Sequence, residues 1–377
     1  MESRRVPRTL QEAVVYFADK QVAHDFFVAT RFPNGIACPR NGCGSADVVA
    51  IKNRNAWRCR ECKRHFSVKV GTVFEDSPIG FDKWLPAMWL LTANRNGVSS
   101  YELARGLGVT QKTAWFMLHR LRFALKNDDV TPLVGEVEAD ETFVGGKIRY
   151  RERTALGHPR SKHGPATGKT TVFGMVERKH EGRTNRVRAA IVPDHKAASL
   201  LPKIRSNVLP GSVLYTDALR SYRAVKGEYA HEFIDHAVAY VEGRVHTNTI
   251  ENFWSCLKRT LHGTYIAPRS FHLDAYLDEQ VYRFNVREEG DGARFTGALK
   301  GADGRRLTYR ALTSSHPAWR LKPGRANRAN NKVGLARRRL FLAPSRRRLD
   351  HRSGGNPRDP RNERFELLEN RYGLRLG

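Results

Sequence analysis

The stretch GEVEADETFVGG, residues 135–146, decides the fold that we expect for this chain. Val137 and Ala139 alternate with polar residues, a pattern typical of a strand with one buried face. The strand reaches Asp140 just before a glycine-rich break. An acid in this position can bind a metal ion at the edge of a sheet. It is also common as a turn or cap residue, so Asp140 alone does not decide between the two.

A second stretch, GSVLYTDALRSY at residues 211–222, has the same pattern of a short, strand-like apolar run that leads to an aspartate, here Asp217. Between the two stretches lie strand-like segments at 170–178 and 185–194 and a helix-like segment at 196–207. The predicted order is three strands, a helix and a fourth strand that ends in the second acid. This is the order of an RNase H-like α/β core.

The stretch HTNTIENFWSCLKR, residues 246–259, predicts a helix on which Glu251 and Lys258 are seven positions apart. Seven residues make nearly two turns of about 100° per residue, so both side chains lie on one face, roughly 10 Å apart along the axis. That separation exceeds the reach of the i,i+4 ion pairs of surface helices. Glu251 can therefore supply a third carboxylate to Asp140 and Asp217, while Lys258 holds a phosphate.

Three carboxylates in one place repel each other and require cations. Carboxylate oxygens suit Mg²⁺, and two such ions can activate a water or a 3′-hydroxyl for in-line attack on phosphorus. We therefore predict metal-dependent phosphoryl transfer by Asp140, Asp217 and Glu251, without a covalent protein nucleophile. Phe253 and Trp254, which flank this site on the helix, are expected to pack in the core rather than to stack on bases.

Four of the five cysteines form two short pairs near the N-terminus, Cys38 with Cys43 and Cys59 with Cys62. Two such pairs can bring four thiolates to one tetrahedral Zn²⁺. In a chain without a secretory signal this use is favoured over disulfides. A site closed by four ligands predicts a structural zinc ribbon. The fifth cysteine, Cys256, falls on an apolar helix face and is expected to pack in the core.

A helix-turn-helix pattern follows the cysteines. Ser99 or Ser100 can cap a helix that runs to Leu107, Gly108 can form the turn, and Thr110 can cap a second helix. On the polar side of the second helix we expect Lys112, Thr113, His119 and Arg120, and the predicted DNA contacts are Gln111, Lys112, Thr113 and Arg120. A plain three-helix bundle uses the same spacing, but the basic composition favours DNA binding.

The charge of the chain is unusual. Its 377 residues contain 66 Lys and Arg against 38 Asp and Glu, a formal net charge of +28. Such a balance implies a polyanionic partner, and nucleic acid is the default. Residues 1–30 lack the apolar core of a signal peptide, and no stretch approaches the ~20 apolar residues of a membrane span. The sequence predicts a cytoplasmic, nucleoid-associated protein that binds double-stranded DNA and no membrane.

Two segments are strongly basic. Residues 147–169 are expected to form an exposed loop. Residues 319–377 hold 17 Lys and Arg against 5 Asp and Glu, and we expect this tail to be disordered in the free protein, where it either contacts DNA or only adds solubility. The predicted fold is therefore multidomain α+β, with an N-terminal segment and zinc ribbon (1–70), a helix-turn-helix (71–130), an RNase H-like α/β catalytic domain (131–315) and a basic tail (316–377).

Four stretches together resemble the ISXO2-like group of bacterial insertion-sequence transposases: DETFVGGK (140–147), YTDALRSY (215–222), HTNTIENFWSCLKR (246–259) and VYRFNVRE (281–288). Each motif is weak alone, but they are specific as a set, and the resemblance covers roughly residues 15–315. It implies a zinc ribbon, a helix-turn-helix and a DDE-type RNase H-like domain. The chain departs from the family pattern in its basic tail and in Cys256, where an apolar residue is expected.

Carried over by position, the resemblance implies that Asp140, Asp217 and Glu251 are the catalytic acids and that Lys258 accompanies them. Related elements can use an Asn as the third metal ligand, and Asn248 lies one turn before Glu251. We favour Glu251 because a carboxylate is the stronger ligand for Mg²⁺. The implied cofactors are two Mg²⁺ (or Mn²⁺) ions in the catalytic site and one structural Zn²⁺.

The sequence thus predicts a DNA transposase that binds the terminal inverted repeats of an insertion sequence, cleaves at the element ends and joins the freed 3′-OH to target DNA. We expect a homodimer or a larger assembly on DNA. Two alternatives stay open. A structure-selective nuclease on the same fold would cut without joining strands. A catalytically inactive DNA-binding regulator would bind the repeats without needing the three acids.

Overall fold

The computed structural model describes residues 6–145, 169–180, 182, 184–217, 222, 227–234, 246–266 and 268–314. All of them belong to one compact unit, Met1–Leu321. The basic loop predicted at 147–169 lies outside the described residues except for Lys169, and so does the predicted tail from residue 316 onward. Within the described part of the chain, none of the helices has both the length and the apolar character needed to cross a membrane.

The elements follow the chain in two groups. The first contains the helices α1 (Leu10–Phe17), α2 (Lys20–Arg31), α3 (Phe81–Ala93), α4 (Ser100–Leu107) and α5 (Gln111–Ala124), and the strands β1 (Val48–Ala50), β2 (Ala56–Cys59) and β3 (His65–Ser67). The second contains the strands β4 (Glu136–Val144), β5 (Thr170–Glu177), β6 (Arg186–Val192), β7 (Val213–Asp217) and β8 (Ala230–Ile234), and the helices α6 (Ala197–Asn207), α7 (Asn248–Gly263), α8 (Leu273–Asn285), α9 (Asp291–Lys300) and α10 (Tyr309–Thr313). The run from β4 to β7 confirms the predicted order of three strands, a helix and a fourth strand.

The N-terminal ribbon shares one hydrophobic core with the helices around it. Strands β1, β2 and β3 form an antiparallel sheet in that order, with Trp57 opposite Phe66. His24 of α2 stacks on Trp57 with ring centroids 6.4 Å apart. The same buried cluster continues through α3, α4, α5 and α9. The boundary predicted at residue 70 therefore crosses a continuous core.

The helices α4 and α5 begin and end where the local signals predict. The Ser99 side chain accepts from the Glu102 backbone and the Glu102 side chain accepts from the Ser99 backbone, a complete capping box. Gly108 ends α4 with φ 59° and ψ 48°, a left-handed conformation that glycine adopts without strain. Thr110 caps α5 by accepting from the Thr113 backbone. These bonds set the angle between the two helices through a turn of only a few residues.

The second half of α5 is buried, which corrects one prediction. The sequence predicts His119 and Arg120 on the polar side of this helix, but their exposed fractions are 1% and 5%. His272 lies just before α8 and Tyr276 lies on it. Both rings pack on His119, with centroids 4.6 Å and 5.6 Å away. Arg120 donates through Nε to the Leu307 carbonyl. Arg120 is therefore removed from the predicted DNA contacts, because distant segments of the chain cover this face.

The central sheet has the order β6-β5-β4-β7-β8. Strands β6, β5 and β4 are antiparallel neighbours, while β7 runs parallel to β4 and β8 parallel to β7. One face carries a hydrophobic cluster formed with α6. The other face carries a cluster formed with α7 and α8. The helix α7, which carries Glu251, thus packs on the sheet whose strands β4 and β7 carry the other two acids.

Candidate active site and metal centre

Asp140 and Asp217 follow the same ladder pair at equal distances along two neighbouring strands. The parallel ladder between β4 and β7 pairs Glu138 with Tyr215, and two further residues along each strand lead to the two aspartates. Adjacent strands are about 4.8 Å apart, so both half-buried carboxylates belong to one site. Asp217 ends β7 as predicted, but Asp140 lies in the middle of β4, because β4 continues its antiparallel pairing with β5 as far as Val144.

A tryptophan from α7 holds the Asp140 side chain. Trp254 donates through Nε1 to Asp140 Oδ2 at 2.9 Å. The residue opposite Asp140 on β5 is Gly174, and a Cβ there would lie 2.6 Å from the Trp254 ring and 2.9 Å from Ile250. The missing side chain of Gly174 thus makes room for the indole. Phe253 and Trp254 are both buried, which confirms the predicted packing role, although Trp254 also contacts the acid.

The start of α7 is fixed to the sheet by a buried carboxylate, Glu138. Its Oε2 accepts from the Ile250 backbone N–H at 2.8 Å, and its Oε1 accepts from Arg178 Nε at 2.8 Å. Glu251 lies one residue later in the same first turn, where it accepts from Thr247 Oγ1 at 3.0 Å. Glu138 therefore sets the position of Glu251 relative to β4.

The three predicted acids share one electrostatic environment. The pKa of Asp140 is raised to about 6, chiefly by burial and also by the charges of Asp217 and Glu251. A bound cation would offset both effects, and carboxylate oxygens are the donors that Mg²⁺ prefers. The residues present therefore fit Mg²⁺ chemically. Among the described residues, however, only the four clustered cysteines bring three or more ligand atoms within 4.8 Å of one another, so the three acids stand further apart than that.

The remaining residues predicted on this helix are accessible. Lys258 is exposed on α7 two turns beyond Glu251, which confirms that both lie on one helix. Asn248 is the exposed first residue of α7. The prediction that Cys256 packs in the core is wrong: Cys256 is only half-buried, because it lies beside the exposed Asn252 one turn earlier, and its Sγ donates to Asn252 Oδ1 at 3.6 Å. Both Asn248 and Lys258 are thus exposed on α7 within the described part of the chain.

Sequence reasoning missed Glu138, Glu141, Arg178 and Tyr222. Glu138 shares the face of β4 that carries Asp140, and the period of two along a strand could have found it. Glu141 points to the opposite face, where the Tyr222 hydroxyl donates to its Oε2 at 2.6 Å. Burial is the main cause that raises the pKa of Glu141 to about 8. No local signal marks Arg178 or Tyr222, because their partners are distant in sequence.

The four cysteines of the ribbon form a metal-binding geometry. Their Sγ atoms all lie within 4.8 Å of one another, with Cys38 to Cys62 at 3.8 Å and Cys43 to Cys59 at 3.6 Å. A tetrahedron with Zn–S bonds of about 2.3 Å has sulfur atoms roughly 3.8 Å apart. The cluster therefore fits one Zn²⁺ with all four positions filled by protein, which is the arrangement of a structural site.

Two sharp turns present these thiols. Gly42, with φ 81°, precedes Cys43, and Lys63, with φ 59°, follows Cys62. Left-handed residues next to the ligands let each short loop fold back toward the metal position. The Cys59 backbone N–H donates to the Arg64 carbonyl, which closes the second loop.

The predicted DNA contacts at the start of α5 have local partners. Gln111 Nε2 donates to Ser100 Oγ at 2.8 Å, and Thr113 Oγ1 lies 2.8 Å from Thr110 Oγ1. Lys112 is exposed, with its ammonium 5.4 Å from the ring centroid of Tyr309. Gln111 and Thr113 thus stabilise the junction of α4 and α5, while Lys112 remains accessible to a phosphate.

Gly174→Ala is expected to lower the stability of the protein. The added Cβ would overlap the Trp254 ring, and overpacking of this kind costs about 1–3 kcal/mol. Gly106→Ala is the matched control, because its Cβ meets nothing within 4 Å and the change in a helix should add about 0.4–1 kcal/mol. Thermal unfolding measures both. An unchanged midpoint for Gly174→Ala would show that Trp254 does not pack on this glycine.

Comparison with known proteins matches two parts of the chain. Residues 19–65 match a transposase zinc-ribbon domain, and residues 132–285 match an ISXO2-like transposase domain. The first match contains the cysteine cluster, and the second contains β4 to α8 with all three acids. Both agree with the two centres located above.

Two relatives extend these matches. A protein of the transposable element ISH50 from Halobacterium salinarum is 29% identical over 257 residues, which cover 65% of this chain and 84% of that protein. A transposase-like protein from Haemophilus influenzae is 38% identical over 104 residues, which cover 27% of this chain and 84% of that protein. The chain therefore belongs to the ISXO2-like transposase family.

Proposed function

We propose that this protein is a transposase that cleaves DNA at the ends of its insertion sequence and joins the freed 3′-OH to target DNA. Asp140, Asp217 and Glu251 are the proposed metal ligands, with Asn248 as the alternative third ligand. The observation that carries the proposal is that the charges of Asp217 and Glu251 both act on Asp140. The parallel ladder of β4 and β7 ends two residues before both aspartates, and Glu251 lies in the first turn of the helix packed on this sheet. A metal-binding site for phosphoryl transfer accounts for three acids in one place.

The proposed fold of the catalytic part is RNase H-like. Three antiparallel strands followed by two parallel strands, in the order β6-β5-β4-β7-β8, support this assignment. The packing of α6 on one face and α7 and α8 on the other completes the arrangement. The domain scheme of ribbon, helix-turn-helix, catalytic domain and tail is kept as the functional division of the chain.

In the proposed mechanism the protein supplies positioning and charge. Two bound Mg²⁺ or Mn²⁺ ions would activate the attacking oxygen and stabilise the leaving oxygen. Trp254 holds the Asp140 carboxylate, and Glu138 holds the start of α7 so that Glu251 faces the strands. Lys258, about 10 Å further along the same helix face, would bind a phosphate of the DNA strand next to the cleaved one.

DNA binding is proposed for the N-terminal half. The helices α4 and α5 would act as a helix-turn-helix, with Lys112 contacting DNA directly. Gln111 and Thr113 would contact DNA only by exchanging their present bonds at the N-terminus of the second helix. One Zn²⁺ would keep the ribbon folded while its exposed basic side chains, Arg58, Arg60 and Arg64, meet phosphates. A net charge of +28 supports a nucleic-acid partner. We propose that at least two copies act together on the two element ends, at the nucleoid in the cytoplasm.

A donor-plasmid assay tests the proposal. A selectable marker is flanked by the presumed element ends, and the full-length protein is supplied as wild type or as Asp140→Asn in Mg²⁺. Transfer of the marker by wild type alone is the expected result, because the variant lacks one metal ligand. Cutting without joining would favour a nuclease, and binding to the ends without cutting by either protein would favour a regulator.

A further inference from the structure

A buried hydrogen bond lies on the face of the sheet opposite α7. The Tyr222 hydroxyl donates to Glu141 Oε2 at 2.6 Å, and Tyr222 is fully buried. The other carboxylate oxygen, Glu141 Oε1, is also buried and has no hydrogen-bond partner among the described residues. The tyrosine is therefore the group that holds this carboxyl in place within the described structure.

The bond lies close to both aspartates in the chain. Glu141 directly follows Asp140 on β4, and Tyr222 lies five residues after Asp217. The paired residues of the β4 and β7 ladder end at Glu138 and Tyr215. Both aspartates thus lie beyond the last ladder pair, and the Glu141–Tyr222 bond joins the residue after Asp140 to a residue that follows β7.

We infer that Glu141 and Tyr222 are a positioning pair that sets the separation of the Asp140 and Asp217 carboxylates, and through it the affinity of the site for a divalent cation. This inference rests on the proposed function. Glu141 does not act as a ligand itself, because successive side chains of a strand point to opposite faces and its partner lies in the cluster formed with α6. The pair acts on Asp140 through β4, on which Glu141 is the next residue.

Terbium luminescence gives a readout that does not depend on transposition. Tb³⁺ is a hard cation that takes carboxylate oxygens as Mg²⁺ and Ca²⁺ do, and the zinc thiolates do not compete for it. Trp254 Nε1 is 2.9 Å from Asp140 Oδ2, so an ion bound by Asp140 lies next to an indole that can sensitise its emission. The full-length zinc-loaded protein is titrated with Tb³⁺, and the signal lost in Asp140→Asn defines binding at this site.

Tyr222→Phe removes the hydroxyl and keeps the ring. We expect its half-saturating Tb³⁺ concentration to rise about 10–100-fold, the range typical for groups that orient a metal ligand. The unfolding midpoint should fall as well, because a buried carboxyl loses its hydrogen bond. Tyr229→Phe is the matched control: Tyr229 is buried in the same cluster, but its hydroxyl donates to the Val208 carbonyl at 3.3 Å. Its Tb³⁺ titration should match wild type. Equal titrations for all three proteins would overturn the inference.

A second pair of variants separates positioning from charge and also serves if Tyr222→Phe does not fold. Glu141→Gln keeps an oxygen that can accept from Tyr222, whereas Glu141→Ala does not. Positioning predicts that the glutamine variant stays close to wild type and that the alanine variant weakens binding. Equal weakening by both would show that Glu141 acts by its charge and would overturn the inference.

The same Tb³⁺ titration distinguishes a failure of the proposed metal site from a failure of the positioning pair. If wild type gives no Tb³⁺ signal that depends on Asp140, the proposed metal site fails, and the positioning pair fails with it. If the wild-type signal is present and Tyr222→Phe leaves it unchanged, the metal site stands and only the positioning pair is overturned.

Discussion

Asp217→Asn is expected to lower the rate of DNA cleavage by more than about 100-fold, because a group that only orients a metal ligand already contributes about 10–100-fold. The substitution is isosteric and removes one negative charge from the site that also contains Asp140. Asp217 is half-buried at the end of β7, so the strand should still pair with β4 and β8. The measurement is the rate of strand cleavage on DNA that carries the element ends, at saturating Mg²⁺.

The control for this variant is Asp194→Asn, just beyond the end of β6. Asp194 Oδ1 accepts from the Lys196 backbone and from Ser199, and an asparagine oxygen can accept both bonds. We expect cleavage by this variant to match wild type. If Asp217→Asn also cleaves at the wild-type rate, Asp217 is not one of the catalytic acids.

Cys59→Ala is expected to abolish stoichiometric zinc binding and to destabilise the N-terminal region by several kcal/mol. Structural zinc supplies about 10–16 kcal/mol in isolated zinc fingers. The loss here should be smaller, because the ribbon also packs on α2 through Trp57 and His24. Because the ribbon core is continuous with α3, α4 and α5, the effect should extend to the predicted DNA-binding helices.

Zinc content per chain and urea unfolding followed by tryptophan fluorescence measure this prediction. Cys256→Ala is the matched control, since Cys256 is half-buried on α7 and lies outside the cysteine cluster. It should keep both the zinc and the stability of wild type. A Cys59→Ala protein that retains one tightly bound Zn²⁺ would contradict the four-cysteine site.

Local signals predicted the helix boundaries well. Ser99, Gly108 and Thr110 act within three or four residues of their own position, through a capping box, a left-handed glycine and an N-cap. Such bonds form whenever the segment becomes helical, so the sequence around them is sufficient to predict where the helix begins and ends. The cysteine spacing is also a local signal, because each pair of cysteines forms its own short loop.

The relative positions of the three acids in the fold could be predicted only in part. The alternation in β4 and the apolar run of β7 indicated strands, but the middle-of-strand position of Asp140 depends on how far β5 pairs with β4. The Trp254 bond to Asp140 joins residues 114 positions apart, and the Glu138 bond to the Ile250 backbone joins residues 112 positions apart. Contacts of this kind have no local signature.

The sequence by itself determined the cluster of four cysteines, the capped helices and the order of the strands along the chain, because spacing and periodicity act over a few residues. It also supplied the three acids that we propose as metal ligands. Only the tertiary structure decided which groups surround those acids and which polar residues are buried. Arg120 looks exposed in a helical pattern, yet it donates to Leu307, 187 positions away. The physical reason is that burial is a property of the whole fold: a side chain is covered by whatever distant segment packs on it.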